Sequence, residues 1–185
     1  QSVSTMIQRI QTLWLLLAIA GMAACFLFQT ATCTLDDPAL NQTTIARLDL
    51  VAKSNPEMLD EIRNLDPQVT FNQRDSGFKT WPLVLLAGLT IGVAGISIFM
   101  FRNRMRQVKI VTVAFMLCLA YAFTVFFWAV DRYADTVRNY MHLSEGSVTW
   151  AVGAYAPIAS LLFLFLAQRA IRKDEAKVRA ADRLR

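Results

Sequence analysis

Four stretches of the chain contain no Asp, Glu, Lys, Arg or His: Leu13–Ala31, Trp81–Phe101, Ile110–Val130 and Val148–Ala167. Each is near the length of about 20 residues that a helix needs to cross a ~30 Å hydrocarbon core. They are apolar all round, whereas a helix with one face in water is striped. The pattern therefore predicts four transmembrane helices. The segment between the second and third runs, Arg102–Lys109, is too short to place those runs anywhere but side by side and antiparallel.

The polar segments predict the rest. In residues 32–80, Asp37-Pro38 and Asn55-Pro56-Glu57 each offer a capping residue followed by proline at the first helical position. After the second, Met58, Leu59, Ile62 and Leu65 recur at helical spacing until Asp66-Pro67. The expectation is a small helical cap, too small for a core of its own. Asp131–Met141 is expected to prolong the third helix into water, with Tyr133, Val137 and Tyr140 on one face and a break at Gly146. The predicted fold class is an all-α integral membrane protein, an antiparallel four-helix transmembrane bundle with a small extracytoplasmic helical cap between spans 1 and 2. It forms one membrane domain over residues 1–185, with an outer cap at 32–80, an outer loop at 131–147 and a tail at 168–185.

Within the spans, small residues mark packing positions. Gly88, Gly92 and Gly95 put flat spots on one face of the second helix, and helices in lipid associate through such faces. Contact with another span of the same chain is the first expectation, and a dimer contact the second. Pro157 is expected to kink the fourth helix and free a carbonyl near Gly153. Its role is read as helix packing, ahead of a hinge or an intramembrane polar site.

Composition agrees with the pattern: 55% of residues are hydrophobic and 18% charged, with a formal net charge of +5. The placement of the charge matters more than its sum. Arg9, the segment bearing Arg102, Arg104, Arg106 and Lys109, and the tail bearing Arg169, Arg172 and Lys173 are basic, while the two other loops are acidic on balance. The positive-inside rule then puts both termini and the short hinge in the cytoplasm. These cations face lipid headgroups better than nucleic acid, because they flank spans instead of forming a soluble patch.

A signal-peptide reading of the first run rests on Met22-Ala-Ala-Cys25. It competes poorly, because the apolar run continues through Phe26-Leu-Phe28. Candidate chemistry is sparse. The three cysteines, Cys25, Cys33 and Cys118, form no C-x-x-C pair, so neither a zinc site nor a disulfide framework is indicated. His142 is the one histidine and cannot build a metal site alone. Asp36-Asp37 and Asp60-Glu61 could act as acid and base, but adjacent loop acids are ordinarily solvated. Asp131-Arg132-Tyr133 is read as an ordinary interfacial ion pair. No span holds an ionisable residue of the kind that marks a proton relay. No cofactor, metal or catalytic residue is expected.

Three stretches together resemble a known family: Met6–Leu17 (MIQRIQTLWLLL), Asn103-Arg104 with Gln107, and Ala167–Glu175 (AQRAIRKDE) running to Asp182–Arg185 (DRLR). The family comprises small four-span inner-membrane proteins of Bacteroidota, of unknown function. The resemblance implies a cytoplasmic-membrane location in a Gram-negative cell, and no catalytic residue. The expected function is that of a non-catalytic membrane scaffold or partner-binding subunit, with lipids and another membrane protein or a second copy as partners. A small-molecule or lipid-handling role near Pro157 comes next. An enzyme using Asp60 and Glu61 comes last.

Overall fold

The computed structural model describes residues 2–37, 42–50, 70–71, 79–100, 103–141 and 147–183. Among these residues, five α-helices and four strands follow one another. They are α1 (Ser2–Leu27), β1 (Ala31–Asp37), β2 (Gln42–Leu48), β3 (Thr70–Phe71), α2 (Trp81–Phe99), α3 (Arg104–Thr124), α4 (Val130–Met141), β4 (Ser147–Trp150) and α5 (Val152–Arg183). A π-helical turn, Val125–Ala129, joins α3 to α4 without a break. Four helical stretches are long and apolar enough to cross a membrane: Ile10–Leu27, Trp81–Phe99, Met105–Thr136 and Val152–Ala176.

The chain forms two compact units. The first comprises Gln1–Ala24, Leu85–Tyr121 and Ala156–Arg185, and is helical. Its buried positions repeat at alternating steps of four and three. They run Gln11, Leu15, Ala18, Met22 on α1, and Ala87, Thr90, Ala94, Ser97 on α2. Gln107, Val111, Ala114, Cys118 follow on α3. On α5 the same rhythm passes through Ser160, Leu164, Ala167 and Ile171. This is the spacing of a knobs-into-holes seam.

The contacts fix direction. Along α1 and α5, Gln11 Nε2 reaches Ala170 O at 3.5 Å and Trp14 stacks on Phe163 with ring centroids 6.0 Å apart. Gly21 then meets Ser160, so the order is reversed and the pair is antiparallel. On α3 and α5, Thr112 meets Gln168 and Cys118 meets Pro157, again in opposite order. At the hinge, Gln107 Nε2 donates to Ser97 O at 3.0 Å, closing the α2–α3 hairpin. Both Gln107 and Ser97 are buried. The Ser97 carbonyl also accepts the Met100 N–H at 3.3 Å, so replacing Gln107 with Leu removes one donor and leaves the other, and is expected to cost about 1 kcal/mol, measurable as a lower melting temperature in detergent.

Outside this seam the helices remain apolar. Only 28–33% of each membrane-length window is buried. The uncovered part is made of residues such as Leu13, Leu16, Val113, Met116, Leu162 and Phe165. In water such surface would drive aggregation; in hydrocarbon it is the solvent-facing side.

The second unit comprises Cys25–Val84 and Ala122–Tyr155, and here the structure corrects the all-α expectation, because the described residues between spans 1 and 2 form strands. Its sheet has the order β3-β2-β1-β4. β1 and β2 form an antiparallel pair from Ala31↔Leu48 to Asp37↔Gln42. β4 pairs antiparallel with β1, from Ala31↔Trp150 to Thr34↔Ser147. β3 runs parallel to β2. The physical reason lies in composition. Thr30, Thr32, Thr34, Thr43, Thr44 and Ile45 are β-branched and suit a pleated surface. Ala31 and Cys33 are buried while Thr32 and Thr34 are less so, the alternation of a strand. Asp37 therefore closes a strand, where the sequence predicts the cap of a helix. The predicted helix at Asn55–Asp66 lies outside the described residues.

Two span boundaries move for the same reason. The first helix stops at Leu27, and Ala31 already belongs to β1. The apolar run starting at Val148 opens as β4, and α5 begins at Val152. Backbone hydrogen bonds lace these two connections together: Ala151 N to Thr30 O at 3.0 Å, Gly153 N to Gln29 O at 2.9 Å and Thr30 N to Leu48 O at 2.9 Å. Beyond the π-helical turn, α4 runs to Met141 as its periodicity predicts and packs on β1 and β2. It buries Val130, Tyr133 and Ala134. The turn widens one step of the buried repeat: Val125, Ala129 and Tyr133 follow at intervals of four. A π-turn has just that effect on register.

Candidate functional site

Three places in the molecule could carry a function. The first is the basic end of the helical unit. Arg106 and Lys109 on α3, and Arg169, Arg172 and Lys173 on α5, are all exposed. Arg104 opens α3, and Arg102 lies outside the described residues. Beneath them the seam is polar: Gln11, Gln107 and Asp174 are buried there. Gln168 Nε2 donates to Thr112 Oγ1 at 2.6 Å, and Thr112 itself donates to Val108 O at 2.8 Å. Donors and acceptors are thus matched across the helices, which a low-dielectric interior requires.

The second is α2. The glycine stripe does not make the contact within the chain that its spacing predicts. A Cβ added at Gly88, Gly92 or Gly95 would meet nothing within 4 Å, so the stripe is open among the described residues. The seam of this helix instead uses Ala87, Thr90, Ala94 and Ser97. The hydroxyls turn back on their own helix, Thr90 to Leu86 O at 2.8 Å and Ser97 to Ala94 O at 2.6 Å. They behave there as small apolar-sized residues. Leu85, Leu89, Ile96 and Phe99 complete the exposed side of α2. The close approaches belong to two other glycines. Gly21 faces Ser160 Oγ, and Gly153 faces the carbonyls of Phe28 and Gln29. Pro157 is buried, and α5 runs through it without interruption. Its carbonyl lies 3.5 Å from the Cys118 thiol, which also stands 3.6 Å from Met22 Sδ.

The third is the sheet's helix-covered face. Cys33 and Tyr133 are buried together there, with Asp49 close enough to interact with Tyr133 electrostatically. Arg138 Nη1 pairs with Asp135 at 3.5 Å. Burial pushes the Cys33 thiol up, and the Arg138 guanidinium draws it part of the way back. A raised thiol pKa means less thiolate at any given pH. Cys33 is therefore expected to react with a maleimide well below the rate of a free thiol at pH 7.5 in the folded protein, and to reach that rate on unfolding. Time-resolved labelling with and without denaturant measures this. Among the described residues, no three His, Cys, Asp or Glu side chains form a metal-ligand group. Of the candidate acids, Asp36 and Asp37 close β1, while Asp60, Glu61 and His142 lie outside the described residues.

An aromatic set gathers in the second unit. Phe126 packs on Trp150 with centroids 4.9 Å apart, and Phe123 on Phe127 at 4.6 Å. Trp81, Phe127, Trp128 and Tyr155 are exposed. Amphipathic rings of this kind sit at headgroup level in membranes.

Neither the curated proteins nor the solved structures contain a match to this chain. Residues 7–184 match the family described as Domain of unknown function (DUF4293), and that match takes in the hinge and all but the first residue of the N-terminal motif and the last of the tail. The protein belongs to the DUF4293 family.

Proposed function

We propose that this protein is a four-span subunit of the cytoplasmic membrane of a Gram-negative cell that acts without catalysis, by binding another membrane protein or a second copy of itself through α2. Both termini and the α2–α3 hinge lie in the cytoplasm, and the sheet lies outside. The distribution of Arg and Lys supports that orientation, and the resemblance to Bacteroidota inner-membrane proteins supports the membrane.

The observation that carries the binding role is the open stripe Gly88, Gly92 and Gly95. The chain meets its own packing needs on α2 with Ala87, Thr90, Ala94 and Ser97. A glycine costs a helix about 1 kcal/mol relative to alanine in propensity, and among the described residues no close approach within the chain offsets that cost at these three positions. Close approach of a second helix would offset that cost. The test is Gly92→Leu, compared with wild type by chemical cross-linking in native membranes and by native electrophoresis in mild detergent. Loss of a wild-type complex, with unchanged thermal stability of the monomer, supports the reading. A wild-type protein that is monomeric and without a stoichiometric partner, or a complex indifferent to Gly92→Leu, overturns it.

A further inference from the structure

Two exposed cations, Lys109 on α3 and Arg172 on α5, flank one groove. The hydrogen bond from Gln168 to Thr112 fixes the register of the two antiparallel helices. Lys109 lies three residues before Thr112, and Arg172 four residues after Gln168. By helix geometry each sits about 5 Å along its axis toward the basic end and within roughly 60° of the bridging pair. The two cations thus flank the groove at one level, on opposite walls. Both are exposed, and neither has an ion-pair partner among the described residues. Glu175 follows one turn beyond Arg172, half-buried and engaged in an interaction of its own.

In the other direction the groove becomes apolar. Met116 lies four residues after Thr112 and Phe165 three before Gln168, so both face the same side one turn deeper, and both are exposed. The profile along the groove is therefore two cations, a hydrogen-bonded hydroxyl–amide pair, then apolar surface. That is the sequence of chemistry along an anionic lipid: phosphate, glycerol ester, acyl chain. A soluble phosphate would use the cations and leave the apolar part unfilled. We infer that the α3–α5 groove binds an anionic glycerophospholipid, with its phosphate between Lys109 and Arg172 and an acyl chain against Met116 and Phe165. This deepens the membrane reading above and rests on it.

The experiment uses the full chain in nanodiscs of phosphatidylcholine, with and without phosphatidylglycerol. Phosphatidylglycerol is present in both leaflets, so the result is independent of which end faces the cytoplasm. Failure of the orientation is then distinguishable from failure of the site. Native mass spectrometry counts retained lipid, and thermal melting reads stabilisation. Wild type is expected to retain phosphatidylglycerol and melt higher in its presence. A cation beside an anionic membrane surface is worth roughly fivefold in affinity, so Lys109→Gln with Arg172→Gln is expected to weaken retention about 25-fold. Its melting temperature in pure phosphatidylcholine should not change, which separates lost binding from lost folding. Lys79→Gln, exposed in the other unit, is expected to behave as wild type. Retention unaffected by the double substitution, equal loss in Lys79→Gln, or no preference for phosphatidylglycerol in wild type would each overturn the site.

Discussion

Gly153→Ala is expected to destabilise the fold by roughly 3 kcal/mol, the upper end of ordinary overpacking. A Cβ there would stand 2.5 Å from the Gln29 carbonyl oxygen, 2.6 Å from that of Phe28 and 2.9 Å from the Gln29 carbonyl carbon. All three are backbone atoms, so no rotamer change relieves the clash. The same carbonyl of Gln29 accepts the Gly153 N–H at 2.9 Å, so moving the chains apart also breaks the lacing between the end of α1 and the start of α5. Gly21→Ala is milder, because its nearest neighbour is the Ser160 hydroxyl, a group that can rotate. Gly88→Ala meets open space and is expected to be neutral, or stabilising by up to about 1 kcal/mol through helix propensity. Unfolding of the three variants in one detergent ranks them directly. A wild-type midpoint for Gly153→Ala would contradict the close approach.

Reversing the hinge charges, with Arg102, Arg104, Arg106 and Lys109 all changed to Glu, is expected to misorient the α2–α3 hairpin or deplete the protein from the membrane. Each cation beside an anionic cytoplasmic leaflet is worth about 1 kcal/mol. Reversal replaces roughly 4 kcal/mol of retention with repulsion, enough to change orientation during insertion. Four charge-neutral Gln substitutions should fall between. Membrane abundance by immunoblot, with accessibility of a cysteine placed at Asn103, measures both outcomes. Normal abundance with Asn103 still shielded from outside in the Glu variant would refute a topogenic role for the hinge.

The membrane-length helices were legible because lack of charge over about 20 residues is a signal of length and composition alone. The seam within them was not. In lipid both faces of a helix are apolar, so periodicity does not separate inside from outside. On α2 the glycines form the more conspicuous stripe, while the buried repeat is Ala87, Thr90, Ala94 and Ser97. That repeat was readable as small residues at alternating steps of three and four. It had a rival stripe on the same helix, and only geometry decides between them.

The sheet has a weak sequence signature for a different reason. Asp37-Pro38 has the chemistry of a helix start and equally of a strand end. The competing signal, threonines at every second position from Thr30 to Thr34, spans only a few residues. β4 was concealed because Val148 and Trp150 extend an apolar run that the following helix continues. A strand of four residues pairing with β1, far away in sequence, has no local signature. Gly153 and Gly21 were legible as small residues, but their purpose depends on which backbone they meet.

The orientation we propose puts the basic ends of the four spans in the cytoplasm and the sheet outside. The native cysteines are all buried, so single cysteines added at exposed positions report against a quiet background. Lys79, just before α2, and Lys173, in the last part of α5, are both exposed. In intact spheroplasts, a membrane-impermeant maleimide is expected to label Lys79→Cys at once, and Lys173→Cys only after lysis. Labelling of Lys173→Cys from outside, with Lys79→Cys shielded until lysis, would contradict the account.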